Sequence, residues 1–366
     1  MKITGVELRR IAMPLVAPFR TSFGTATERD ALLVRVVTPE AEGWGECVAM
    51  SDPLYSPEYV DGAADVLRRF LIPALPAHLD AHRVNHALRP FKGHPMAKAA
   101  LETAALDAQL RIGGQSMGSF LGATADRVPC GVSVGIMNSL PELLDTVEDY
   151  ITQGYLRIKL KIEPGWDVAP VRAVRERFGP DLLLQVDANA AYTLTDAPHL
   201  AKLDDFDLLL IEQPLANDDL VQHAQLAKRL TTPLCLDESI DSAAHAAAAI
   251  TLGSCSIINV KPGRVGGYLE SRRIHDLARA HGVALWCGGM LETGIGRAAN
   301  LALAAMPGFT LPGDTSASRR YYATDITTPF ELSDGHLDVP TTPGIGIDPI
   351  SDLLDEVTTS TEWIAL

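Results

Sequence analysis

Residues 157–163 read RIKLKIE. Ile158, Leu160 and Ile162 alternate with Lys159 and Lys161. A strand alternates its faces with period two, so both lysines point the same way. Two ammonium groups side by side repel each other, and burying them is costly unless they are paired. That face therefore meets either water or something anionic, and the choice between the two decides what surrounds it.

The same unit recurs on both sides of this run. From about residue 124, short apolar runs alternate with helical patterns: VPCGVSVGI, YLRIKLKI, LLLQVDAN, LLLIEQP, PLCLDES, SIINVKP, VALWCGG and FTLPGD. Seven helical patterns separate these eight runs, among them DVAPVRAVRERFG, DLVQHAQLAKRL and YLESRRIHDLARAHG. Strand–helix alternation implies parallel strands with crossover helices. Eight such strands close most naturally into a barrel. After FTLPGD the chain turns polar and rich in Pro and Gly, so the eighth helix is missing or replaced.

Upstream, residues 3–15 and 31–49 alternate enough to read as strands, with a hairpin turn near 39–43 in VVTPEAEGWGECV. Helical patterns follow at 56–75, 81–89 and 96–110, the last holding AKAALETAALDAQL. Strands followed by a block of helices suggest a small α+β domain over 1–123, ahead of the barrel at 124–326. The remaining segment, 327–366, contains FELSDGHLDVP, which reads as a strand returning toward the first domain.

Each barrel run ends near a charged residue. Lys161, Asp187, Glu212, Asp237 and Lys261 close runs two to six and recur every 24–26 residues, the length of one strand–helix unit. They are therefore expected at one level on successive strands, where the C-terminal strand ends of a barrel converge on a single mouth. Taken singly, an Asp at a strand end is most often a cap or turn residue. Five charged residues at near-constant spacing are a different matter. Three carboxylates buried together need a cation, and a site without Cys or His suits Mg²⁺ or Mn²⁺ rather than zinc. Strands two and six lie opposite each other on a closed ring, so Lys161 and Lys261 would face each other across the metal. The lysine face of RIKLKIE then looks onto carboxylates, a cation and an anionic substrate.

Composition narrows the classes. The 366 residues are 47% hydrophobic and 21% charged, as expected of a folded chain with a large core. A formal net charge of −15 argues against nucleic acid and anionic lipid as partners. The start, MKITGVELRR, lacks the apolar stretch of a signal peptide, and no run is long enough to span a bilayer. Five scattered cysteines signal neither a disulfide framework nor a zinc site, which fits a reducing cytoplasm.

At these residues the chain resembles the enolase superfamily, in its muconate-lactonizing-enzyme subgroup. The motifs that carry the resemblance are KLK at 159–161, VDAN at 186–189, IEQP at 211–214, LDES at 236–239 and NVKPGRVGG at 259–267. Within the subgroup it is most similar to N-acylamino acid (N-succinylamino acid) racemases that are also o-succinylbenzoate synthases, through PLVAPFRTSFGT, GWGECVAM, VPCGVSVGI, WCGGMLETGIGRAAN and TLPGDTSAS. The resemblance implies an α/β fold, a (β/α)7β TIM-type barrel with an N-terminal α+β capping domain. It implies Asp187, Glu212 and Asp237 as ligands of Mg²⁺, Lys161 and Lys261 as the acid/base pair, and Lys159 as electrostatic support. Asn189 and Glu238 would stand behind them. Phe19, Phe23, Met50 and Tyr55 of the capping loops would shape the substrate pocket, joined by Ser133, Gly289, Met290 and Asp314 of the barrel. Gly288 and Gly289 would let backbone approach a ligand closely. A small carboxylate substrate and a homo-oligomer, an octamer among the possible sizes, are expected as partners.

The implied chemistry is removal of a proton α to a carboxylate, with the enediolate stabilised by the metal and by Lys159. A Lys base beside Mg²⁺ is the superfamily's general device. One lysine on each face gives racemisation. With a β-hydroxyl to expel, the same intermediate gives dehydration to o-succinylbenzoate. A dipeptide epimerase would want a second acid at 316, where this chain has Ser. A muconate cycloisomerase shares the lysines and metal. A metal-free Schiff-base aldolase would use one barrel lysine and leave the carboxylates unexplained.

Overall fold

A long antiparallel hairpin opens the chain. Strand β1 (Gly5–Thr21) pairs with β2 (Gly24–Val37) from Gly5↔Val37 out to Thr21↔Gly24, with an irregularity between Pro14 and Phe19. The computed structural model describes residues 1–366 apart from Phe23 and Ala77. The arms extend well past the expected limits at 15 and 31. Their outer halves are largely exposed, so no apolar alternation marks them, and Pro14 and Pro18 read as strand breakers. Strand β3 (Glu42–Cys47) then adds to β2.

The helix Pro95–Ile112 lies on β3, and small residues set how closely. A Cβ on Gly45 would sit 2.1 Å from the Ala100 carbonyl oxygen, and one on Gly43 would sit 2.1 Å from that of Ala104. Helix backbone and strand backbone thus meet directly, with alanines filling the seam. The helix begins where Glu58 accepts hydrogen bonds from Met96 N (2.7 Å) and Ala97 N (3.0 Å), which satisfies donors that a helix start leaves free. The pattern at 56–75 proves shorter as a helix, running Val60–Val66 and then through one wide turn, Leu67–Leu71.

After a short strand β4 (Arg127–Pro129), seven parallel strands follow: β5 (Gly131–Val134), β6 (Arg157–Lys161), β7 (Leu183–Asp187), β8 (Ile211–Glu212), β9 (Leu234–Leu236), β10 (Ile257–Val260) and β11 (Ala284–Cys287), hydrogen-bonded in chain order. FTLPGD completes the ring. Thr310 N donates to Leu285 O (3.1 Å), Asp314 N to Cys287 O (2.9 Å) and Gly131 N to Gly313 O (2.7 Å). The eighth stave so joins the last strand to the first, and both strand faces are buried throughout most of the ring. The connection between β7 and β8 is the slightest, a chain of short helical turns from Leu194 to Phe206.

The C-terminal segment departs from expectation. FELSDGHLDVP supplies β12 (His336–Asp338), which pairs with β4 and not with the first domain. The returning strand is β13 (Thr358–Ala365), antiparallel to β1 from Gly5↔Ala365. As the edge of its sheet it is half exposed on both faces, so TTSTEWIA carries no apolar rhythm.

Two buried glutamates fasten the N-terminal elements to the barrel. Glu46 of β3 accepts from Thr293 Oγ1 (2.7 Å), Thr293 N and Gly296 N (both 3.1 Å) at the start of the helix Gly294–Ala304. Glu102 accepts from Leu269 N (3.1 Å) at the start of the helix Tyr268–His281. A carboxylate at a helix N-terminus meets both free N–H groups and the positive end of the dipole.

The β3–helix seam yields a stability prediction. Gly45→Ala is expected to cost about 1–3 kcal/mol through overpacking, read as a lower thermal midpoint. Gly113→Ala, whose added Cβ would meet nothing nearer than 3.5 Å, serves as the neutral control. Equal midpoints for the two variants would contradict the backbone contact.

Candidate active site

The lysine face of β6 looks inward, and it meets anions. Lys159 and Lys161 are only 2% and 7% exposed. Lys161 Nζ donates to Asp187 (2.6 Å) and to the side-chain oxygen of Asn189 (2.7 Å). Lys159 Nζ lies 2.6 Å from Asp314 and 3.2 Å from Glu212, above the ring of Trp286. Lys261, one residue beyond β10, donates to Asp237 (2.7 Å) and to the Tyr55 hydroxyl (3.1 Å).

The five strand-end residues do converge, though not all at one level. Lys161, Asp187 and Glu212 are direct register partners. Glu212 then lies beside Cys235, and Asp237 stands two residues further along. Closing a barrel requires a stagger between staves, and equal spacing in sequence does not reveal where it falls.

Burial alone would raise the pKa of every carboxylate here, and the neighbouring charges decide the outcome. Burial works against Asp187, but Lys161 and then Lys159 hold it well below the ordinary range. Burial likewise opposes Asp237, and Arg264 followed by Lys261 keeps it low. Glu212 goes the other way: burial, then repulsion from Asp187, pushes it up to about 8. Burial, then Asp237, raises Glu238 to about 7. Burial works to lower Lys159 and Lys261, yet Asp314 and Asp237 respectively hold each above its ordinary value.

The three lysines face a cavity of about 320 Å³. Lys159, Lys161, Lys261 and Asn189 line its base. Phe19, Met50 and Tyr55 reach it from the N-terminal elements, and Ser133, Gly289, Met290 and Asp314 from the barrel. Phe23 lies outside the described residues. Glu238 accepts from the Asn189 amide (2.9 Å), which turns the amide oxygen toward Lys161. The paired glycines serve the protein's own atoms: a Cβ on Gly288 would come 2.8 Å from Lys261 Cε, and one on Gly289 2.7 Å from Asp314 O.

Three further residues complete the site. Arg157 pairs with Asp314 (2.8 Å) at zero exposure. Asn259 donates to Glu212 (2.7 Å), and Arg264 pairs with Asp237. Period two would have found the first two, since Arg157 precedes Lys159 and Asn259 precedes Lys261 by two residues on the same strand faces. Arg264 sits in the PGRVGG turn, where spacing gives no face. Among the described residues no three acidic, histidine or cysteine groups are drawn together closely enough to hold an ion, and Asp187 and Asp237 are paired with ammonium and guanidinium groups.

Comparison with known proteins supplies the family. The mandelate racemase / muconate lactonizing enzyme N-terminal domain matches residues 3–122, and the enolase C-terminal domain-like family matches residues 142–353. An N-succinylamino acid racemase from Amycolatopsis sp is 67% identical over 366 residues, covering 100% of both chains. An o-succinylbenzoate synthase from Geobacillus kaustophilus is 49% identical over 352 residues, 95% of this chain and 94% of that relative. A solved enolase-superfamily structure from Listeria innocua superposes with a TM-score of 0.96 at 40% identity, covering 100% of this chain and 99% of its own. With both family domains matched and such similarity along its whole length, this chain is an enzyme of the enolase superfamily, in the mandelate racemase and muconate-lactonizing-enzyme family.

Proposed function

We propose that the chain catalyses metal-dependent racemisation of N-acylamino acids, N-succinyl or N-acetyl, with hydrophobic side chains. The observation that carries this reading is the pair Lys161 and Lys261. Their strands, β6 and β10, stand four staves apart, and both ammonium groups face one cavity with carboxylates between them. The 67% identity to an N-succinylamino acid racemase supports the same reading.

Superfamily members generally use a divalent metal. Asp187, Glu212 and Asp237 fit Mg²⁺ or Mn²⁺ by donor chemistry, being oxygen ligands only. Glu212, raised to about 8, is the one whose charge the neighbouring cations balance least. Bound among these oxygens, a dication would stabilise negative charge on the substrate carboxylate and disfavour the charged form of nearby lysines.

The chain's own groups do the rest. The Nζ of one lysine takes the Cα proton from one face, and the other returns a proton to the opposite face. Lys159 keeps positive charge beside the substrate carboxylate. Phe19, Met50 and Tyr55 cover the reacting carbon and exclude water. A second reading, dehydration to o-succinylbenzoate, uses the same lysines and is favoured by the 49% identical synthase. Turnover of dipeptides with a free ammonium is disfavoured, because Asp314 is already committed to Arg157 and Lys159.

EDTA should abolish activity and Mg²⁺ or Mn²⁺ should restore it, and Glu212→Gln should weaken both metal affinity and rate. Full turnover by a demonstrably metal-free sample would refute the metal site.

The two-base geometry is tested by ¹H NMR of each pure N-acyl enantiomer in D₂O. Lys161→Ala should stop racemisation in both directions, a loss of about 10²–10⁴-fold or more for a well-placed base. It should still let Lys261 exchange the α-proton of one enantiomer without inversion. Lys261→Ala should leave exchange of the other enantiomer. Exchange of the same enantiomer by both variants would mean that the lysines do not serve opposite faces.

A substrate panel compared by kcat/KM separates the readings. N-acylamino acids with Met or Phe side chains should exceed free amino acids and dipeptides. A higher value for the o-succinylbenzoate precursor than for every N-acylamino acid would make dehydration the main role.

A further inference from the structure

The ladder between β8 and β9 ends before it reaches Asp237. Its last register pair is Glu212↔Cys235, and Gln213 N then donates to Cys235 O (2.9 Å). Asp237 stands beyond the end of β9, so pairing with β8 does not fix its backbone. The Gln213 side chain fixes it instead. Its Oε1 accepts from Asp237 N (3.1 Å) and Ser239 N (3.2 Å). Its Nε2 donates to Ser239 Oγ (2.7 Å) and Leu215 O (3.0 Å). A primary amide offers two acceptor positions and two N–H donors, and all of them are used here.

The backbone of Gln213 is equally constrained. Its φ of +37° lies in the left-handed region, uncommon for a residue with a Cβ, and the residue has no exposed surface. Its carbonyl oxygen accepts from Ala190 N (2.8 Å), in the loop after β7 that carries Asn189. The neighbouring Pro214 O accepts from Tyr192 N of the same loop (3.1 Å). Gln213 thus ties the ends of β7, β8 and β9 together. A strained backbone persists only where its surroundings over-determine it, and such positions cluster where function needs a fixed geometry. The bonds run to backbone groups and one hydroxyl, so they leave the carboxylate oxygens of Glu212 and Asp237 to other partners.

We propose that Gln213 is a positioning residue for the metal. By holding the chain after β9 against the end of β8, it sets the offset between Glu212 and Asp237 across which their carboxylates meet one cation. This rests on the reading of Asp187, Glu212 and Asp237 as the metal-binding set. Carboxylates on separate staves keep their spacing only as well as the staves do. A small dication such as Mg²⁺ demands a near-ideal arrangement of oxygens and binds weakly to a set that drifts. The amide of Gln213 supplies rigidity where the strand ladder has run out.

The test is the binding of Mn²⁺ alone to the metal-free full chain, followed by isothermal titration calorimetry. Gln213→Met keeps a side chain of similar size and removes the amide's hydrogen bonds to Asp237, Ser239 and Leu215. Its Mn²⁺ affinity should fall by about tenfold or more, the scale for a residue that orients a metal ligand. Gly45→Ala, expected to lose stability at the β3–helix seam, controls for destabilisation and should bind Mn²⁺ as the wild-type chain does. Ser239→Ala removes one partner of the amide, should weaken binding by a smaller factor, and covers the case in which the Met variant does not fold. Wild-type affinity in Gln213→Met or in Ser239→Ala would overturn the inference. Equal losses in Gln213→Met and Gly45→Ala would reduce Gln213 to a structural pin and overturn it too. A wild-type chain that binds no Mn²⁺ would overturn the metal reading itself, and the inference would fall with it.

Discussion

Everything at the barrel mouth depends on pairing buried charge. Taking one unpaired ion out of water costs several kcal/mol even after relaxation. Lys159, Lys161 and Lys261 are all nearly inaccessible, so the register of their strands is tied to the arrival of Asp187, Glu212, Asp237 and Asp314 from other staves around the mouth. A one-residue slip of β6 would turn both of its lysines into the apolar layer beneath the helices and bring Ile158 and Leu160 into the mouth. The ion pairs thus select the register as well as furnish the site. In such a set, loss of one member strands the others.

The second constraint is that the cavity belongs to two parts of the chain. Its charged base comes from the barrel, and much of its apolar cover comes from the hairpin and the loop around Met50 and Tyr55. Such a cavity has a defined shape only if the parts cannot shift. Glu46 and Glu102 supply this by placing their carboxylates on two barrel helix starts, and the Gly43–Gly45 seam ties β3 to the helix that carries Glu102. Asp107 extends the same tie, accepting from Trp44 N (2.8 Å), Ile345 N (2.7 Å) and Arg111 Nε (3.0 Å). Sheet, helix and C-terminal segment are joined through one side chain.

The legible part of the sequence was the part with a period. Buried parallel strands read as apolar runs, and the strand–helix unit repeats every 24–26 residues, so barrel, closing stave and the five strand-end charges were visible. Features without a period were not. The outer hairpin arms and β13 lie against solvent, so nothing forces their residues to alternate, and FELSDGHLDVP reads as the returning strand that TTSTEWIA in fact forms. Arg264 lies in a single helical turn after β10, where the partner of its side chain depends on the fold alone. The stagger that sets Asp237 apart from Glu212 is a property of closure and leaves no mark on the spacing.

One asymmetry among the three lysines fits the roles proposed for them. A lysine base must shed its charge, and an electrostatic lysine must keep it. Lys161 leans on Asp187 and Asn189, and Lys261 on Asp237 and Tyr55. Both carboxylates belong to the proposed metal-binding set. Lys159 also touches that set, but its shortest contact is to Asp314, which lies outside it and is held in place by Arg157. In the proposed site a metal would share Asp187 and Asp237 with Lys161 and Lys261, whereas Lys159 would keep Asp314. On the proposed mechanism the eighth stave, which supplies Asp314, would contribute by holding Lys159 in place without carrying a base or a ligand.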